Sequence, residues 1–172
     1  VEKLTIGTTI TQSALKTRTY TGDQSSTNIT VGENNIVIID TGASVGVTSL
    51  LGGTLKGAGT TGNLSMSSGT VAPGLSPGCL SSGNLNYSGG SLEIEVAGKV
   101  ACTSYDQQIV VGTVTLGSAT TLKTSFLQSF VPALNDSFVI INNDASDAVS
   151  GTFTGLAQGA TFVVSGVTFQ IS

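Results

Sequence analysis

The chain has 172 residues, enough for one domain with a sizeable core, and only 9% of them are charged, for a formal net charge of −4. Histidine is absent, which removes Ser-His-Asp and Cys-His triads and the commonest zinc ligand. The basic residues Lys3, Lys16, Arg18, Lys56, Lys99 and Lys123 are too scattered for a nucleic-acid patch, and no apolar run approaches the roughly 20 residues of a membrane-spanning helix.

Residues 2–20 place Leu4, Ile6 and Ile10 among threonines, which favour a pleated, half-buried surface. They predict a strand or cap region over residues 1–27, ending in a polar turn at 21–27. No basic stretch followed by an apolar one opens the chain, so the expectation is that any signal peptide has been removed.

From Asn28 short strands recur. Asn34-Asn35-Ile36-Val37-Ile38-Ile39-Asp40 is a near-continuous apolar run of strand length, consistent with burial on both faces. Gly62-Asn63-Leu64-Ser65 and Gly83-Asn84-Leu85-Asn86 repeat a Gly-x-Leu-x form, and Gly and Asn tolerate the positive φ of tight corners. Two Pro-Gly turns at 73–78, strict alternation at 92–96 and a Val/Ile/Thr run at 109–116 continue the pattern with no helical period. Residues 125–128 give at most a single helical turn.

All six phenylalanines, Phe126, Phe130, Phe138, Phe153, Phe162 and Phe169, lie in the last third. Each buries a large apolar area, so they predict a well-packed closing element over 125–172. The fold expected is a single all-β domain: a β-solenoid with rungs over 28–124 and a Phe-rich C-terminal β cap, with a β-sandwich as the alternative.

The run Gly69-Thr70-Val71-Ala72-Pro73-Gly74-Leu75-Ser76-Pro77-Gly78 resembles a segment of bacterial surface proteins, notably autotransporter passenger domains and their associated repeats. So do Gly90-Ser91-Leu92-Glu93-Ile94-Glu95, Tyr105-Asp106-Gln107, Gly112-Thr113-Val114-Thr115-Leu116, Asp136-Ser137-Phe138-Val139-Ile140-Ile141 and Gly151-Thr152-Phe153-Thr154-Gly155-Leu156. The resemblance spans roughly residues 60 to 172 and implies a β-solenoid displayed outside the cell. It brings no catalytic residues. With the low Lys content and Ser/Thr/Gly richness it favours export, where Cys79 and Cys102 would persist as a disulfide; two buried free thiols are the alternative.

Candidates for chemistry are few. Glu93 and Glu95 alternate with Leu92, Ile94 and Val96, so both point outward from one strand, about 6.6 Å apart by strand rise. That spacing suits a glycosidase pair, but a solvated strand face is the plainer reading without flanking aromatics or a partner base. Asp144 and Asp147 in an oxygen-rich turn are candidate Ca²⁺ ligands, though they lack the EF-hand spacing. Asn28, Asn63, Asn86 and Asn135 head Asn-x-Ser/Thr sites open to glycosylation in an exporting host that glycosylates.

No cofactor is expected, and no enzymatic activity. Both ends of the chain read as strand, so Leu4, Ile6, Ile10, Phe169 and Ile171 are the expected self-association residues through β-augmentation. The sequence therefore predicts an exported structural protein, a surface scaffold or self-assembling fibre subunit. An adhesin or carbohydrate-binding module, with cell-surface glycans as partners, is the alternative, and a polysaccharide-cleaving enzyme a weaker third.

Overall fold

The structure, a computed structural model, describes residues 15–144 and 147–172. Among the described residues every regular element is a β-strand. Five short strands come first: β1 (Lys16–Tyr20), β2 (Asp23–Gln24), β3 (Ile29–Val31), β4 (Asn35–Ile39) and β5 (Ser44–Val45). The long strands β6 (Thr48–Gly57), β7 (Leu64–Pro73), β9 (Leu85–Val96) and β11 (Val114–Phe126) follow, with β8 (Cys79–Ser82) and β10 (Gln107–Val110) between them. Last come β12 (Ile141–Asn143), β13 (Val149–Gly151), β14 (Thr161–Val164) and β15 (Val167–Gln170).

The larger sheet runs β1-β4-β6-β7-β9-β11-β13, with β3 also on β6, and every pairing in it is parallel. A second parallel stack runs from β2 through β5, an isolated bridge at Thr60, and β8, β10 and β12. The chain thus visits the same sheets repeatedly, one tier above the last. A β-sandwich is built of antiparallel sheets, and among the named strands only β14 and β15 pair that way.

Register makes the tiers superimpose. Val31, Leu50, Met66, Tyr87 and Leu116 stand in one column of partners, and Val37, Leu55, Val71, Leu92 and Leu122 in another. Most of these side chains are fully buried, and burying an aliphatic of this size stabilises by about 1.5–3 kcal/mol. Alternation in the strands supplies the pattern: β9 reads buried at Leu85, Tyr87, Leu92, Ile94 and Val96, with polar residues between.

Each long strand breaks halfway at glycine. At Gly90, φ is +83°, and a Cβ there would stand 2.7 Å from the carbonyl oxygen of Gly69 on the tier below. A larger residue would be strained by the backbone and blocked by the neighbour.

Residues 21–27 contain β2 within the expected polar turn. Residues 125–128, the best candidate for a helical turn, form none: β11 continues through Phe126, and the chain turns at Gln128 and Ser129, both at positive φ. Beyond it, β12 and β13 still join the parallel sheets before the β14–β15 hairpin begins. Phe169 of that hairpin packs on Phe126, Phe138 and Phe162, with centroids 5.9, 6.2 and 5.5 Å away. No helix among the described residues is long and apolar enough to cross a membrane.

Candidate functional site

The second halves of β6, β7, β9 and β11 carry the sheet's charges. Register places Lys56, Ala72, Glu93 and Lys123 in one outward column, and Glu95 lies one outward position beyond Glu93. The loop 74–78 rises beside this column, and together they enclose a groove of about 590 Å³. Glu93 and Glu95 both line it, together with Lys56, Lys123 and Asp106.

Most of the charge in the groove is engaged. Lys123 Nζ reaches Glu93 Oε1 at 3.4 Å, an exposed pair of the kind worth about 0–1 kcal/mol. Asp106 is only 2% exposed. Its Oδ1 accepts the Gly78 N–H at 2.7 Å and its Oδ2 accepts the Glu95 N–H at 2.9 Å, while its own N–H donates to Glu95 O at 3.0 Å. Burial pushes the Asp106 carboxyl up to about 6, with the Glu95 charge adding to it and the two backbone donors opposing. A carboxylate spent on two N–H groups positions backbone. What it positions is the groove wall, which Gly57 and Gly74 also clamp through reciprocal backbone hydrogen bonds of 2.9 and 2.7 Å.

Cys79 and Cys102 form a disulfide, tying the excursion after β9 to the start of β8 directly beside Gly78. Asp106 and the disulfide thus secure adjacent residues of one loop. The signal for Asp106 was present as a carboxylate between Tyr105 and Gln107 just before a strand, but its partners lie 11 and 28 residues away.

Other candidates are dispersed. Asp144 and Asp147 are both exposed; Asn143 Oδ1 accepts the Asp144 N–H at 3.1 Å and Asn143 Nδ2 donates to Asp147 O. Among the described residues no group of three His, Cys, Asp or Glu side chains is placed to hold a metal. Asn28 and Asn63 stand at tier corners, where their Oδ1 atoms accept the N–H of Val47 at 2.9 Å and of Asn84 at 3.0 Å. Asn86 faces outward from β9, and Asn135 lies exposed in a turn with φ +72°. Leu4, Ile6 and Ile10 lie outside the described residues. Phe169 packs within the phenylalanine cluster, and the Ile171 N–H donates to Ala160 O at 2.9 Å. Tyr20, Tyr87 and Tyr105 are all buried, so none offers a ring to solvent.

These features define an all-β, disulfide-bonded chain of stacked parallel strands with a charged groove on its larger sheet. No protein-family model, curated protein or solved structure matches the chain.

Proposed function

We propose that this chain is a β-solenoid module of an exported structural protein, serving as a scaffold at the cell surface. The observation that carries the reading is the unbroken parallel register through six tiers, at Ile29, Thr48, Leu64, Leu85, Val114 and Val149. Each tier buries its apolar residues against the next, which is the construction principle of a solenoid. The disulfide supports export, because such bonds persist in oxidising compartments.

Two other readings receive less support. Sugar binding usually draws on exposed aromatic rings, and all three tyrosines are buried. Polysaccharide cleavage usually sets an acid and a base beside rings that seat the sugar, whereas Asp106 is spent on backbone and, among the described residues, no aromatic lines the groove beside Glu93 and Glu95. Among the described strands β1 is the outermost of the larger sheet at that end, and Arg18, exposed at the tier position of Val37 and Leu55 with its guanidinium 4.7 Å from the Tyr20 ring centroid, places a charge where a strand added directly on β1 would stack.

Antibody labelling and protease shaving of intact cells of the source organism test the proposal. Surface-accessible chain with an oxidised Cys79–Cys102 pair is expected. An intracellular chain with both thiols reduced would overturn it.

A further inference from the structure

The groove holds two opposite charges that the chain leaves unmatched. Glu93 is paired with Lys123 and Asp106 is spent on backbone, whereas the Lys56 ammonium and the Glu95 carboxylate meet no hydrogen-bond or ion-pair partner among the described residues. Register sets Lys56 and Glu95 two tiers and two strand residues apart, roughly 12 Å between Cα atoms at sheet spacing. One loop braces both. Its first residue, Gly74, exchanges backbone hydrogen bonds with Gly57, the neighbour of Lys56, and its last, Gly78, donates to Asp106, which in turn holds the Glu95 backbone at 2.9 and 3.0 Å. Between the two charges the lining is uncharged, with Ala72 half-buried and Leu75 49% exposed.

We propose that this groove binds a short peptide with both ends free, its carboxylate at Lys56 and its ammonium at Glu95. The inference goes beyond the scaffold reading and does not rest on it. Charge complementarity selects the ligand. An anion that gains at Lys56 is opposed at the other end by Glu95 and the Asp106 carboxyl beside it, and a cation that gains at Glu95 is opposed by Lys56. A zwitterion of the right length gains at both.

Length and volume fit. Three extended residues span at most about 10 Å, and the long Lys56 side chain closes the remaining distance. The groove's volume of about 590 Å³ is that of a small-ligand site. Small apolar side chains on the peptide would lie over Ala72 and against Leu75. Because the wall is braced at Gly74 and Gly78, little ordering is required on binding. Both charges are only half-buried, so each contact is weak and the dissociation constant should be about millimolar.

Titrating the whole chain with trialanine, followed by amide NMR shifts, tests this. Saturating shifts are expected at residues 72–78 and 93–95. Acetylating the peptide's N-terminus removes its ammonium and amidating its C-terminus removes its carboxylate, and each should weaken binding about three- to fivefold. Lys56→Met should erase the difference between trialanine and its amide while keeping the difference between trialanine and its acetyl form, and Glu95→Gln should do the reverse. A purely structural role for either residue would give no such crossed pattern. Thermal melts confirm that both variants are folded. Shifts that never saturate or that lie outside the groove, capped peptides that bind as tightly as trialanine, or variants that weaken all three peptides alike would each overturn the proposal. The scaffold reading stands or falls separately, on surface accessibility in cells.

Discussion

The side chain of Asn84 and the missing side chain of Gly112 occupy the same space. Asn84 Oδ1 accepts the N–H of Thr113 at 3.0 Å, and a Cβ at Gly112 would stand 2.0 Å from that same oxygen. The tier below repeats the arrangement with Asn63, which bonds the Asn84 N–H, and Gly83, where a Cβ would meet Asn63 Oδ1 at 2.7 Å. Each corner asparagine thus caps the next tier's backbone, and glycine leaves room for it.

Asn84→Ala should therefore cost about 1 kcal/mol, the net worth of one partly exposed hydrogen bond. Gly112→Ala should cost more, because the methyl group expels the Asn84 amide from its place. The two changes should not add: once Asn84 is alanine, Gly112→Ala loses most of its penalty. A double-mutant cycle by thermal denaturation, with about 2–4 °C per kcal/mol in a chain of this size, measures the coupling. Additive losses would show that the amide and the glycine act independently.

Asp106 gives a pH dependence of definite sign. Its carboxyl titrates at about 6 in the folded chain against 3.8 as the ordinary value, so the folded state holds the proton more tightly than the unfolded one. Its contribution is complete below about pH 4 and is lost as pH rises through 6, amounting to about 3 kcal/mol for a shift of this size. Acidifying from pH 7 to pH 4.5 should raise the unfolding midpoint. Asp106→Asn should flatten that rise and lower stability at pH 5, since one of its two backbone donors would then face an amide N–H₂. An unchanged pH profile in Asp106→Asn would assign the effect to another group.

The alternating residues of β9 and the apolar run of β4 were legible as strands because burial follows a period of two. Repeated Gly-Asn-Leu, at 62–64 and 83–85, marked the tier corners because both the turn and the cap are local chemistry. Parallel pairing was not legible strand by strand. Thr48, Leu64, Leu85 and Val114 are partners in one column, yet the spacing between them changes from tier to tier as excursions lengthen, so no fixed period exposes the register. The groove escaped for the same reason: Lys56, Glu93 and Lys123 meet only through that register. Glu93 and Glu95 were placed on one outward face from sequence, and both line the groove. What they face depended on the loop 74–78, whose position Asp106 fixes from a distance.

Reducing the disulfide should destabilise the chain by roughly 3 kcal/mol on the chain-entropy account of a loop this long. Cys79→Ser should match the reduced wild type. Because the bond and Asp106 hold neighbouring residues, Cys79→Ser and Asp106→Asn together should cost less than the sum of the two. Denaturant unfolding with and without reductant gives both numbers. A Cys79→Ser chain as stable as the oxidised wild type would mean that Asp106 alone secures the loop.

The phenylalanine cluster predicts a local rather than global weakness. Phe169 touches Phe126 at the end of β11, Phe138 in the connection before β12 and Phe162 across the hairpin, so one ring joins three segments that share few backbone hydrogen bonds. The parallel column through Leu64, Leu85 and Val114 makes no use of it. Phe169→Ala should cost about 2–3 kcal/mol, below the range for a fully buried phenylalanine because this ring is only half-buried. Stacked tiers of parallel strands contact mainly their neighbours, so the loss should stay at that end of the stack. Hydrogen exchange should accelerate in β14, β15 and residues 127–140 while β6, β7 and β9 keep wild-type protection. Uniform acceleration along the whole chain would instead make the hairpin part of one cooperative unit with the tiers, and the cap would then set the stability of everything beneath it.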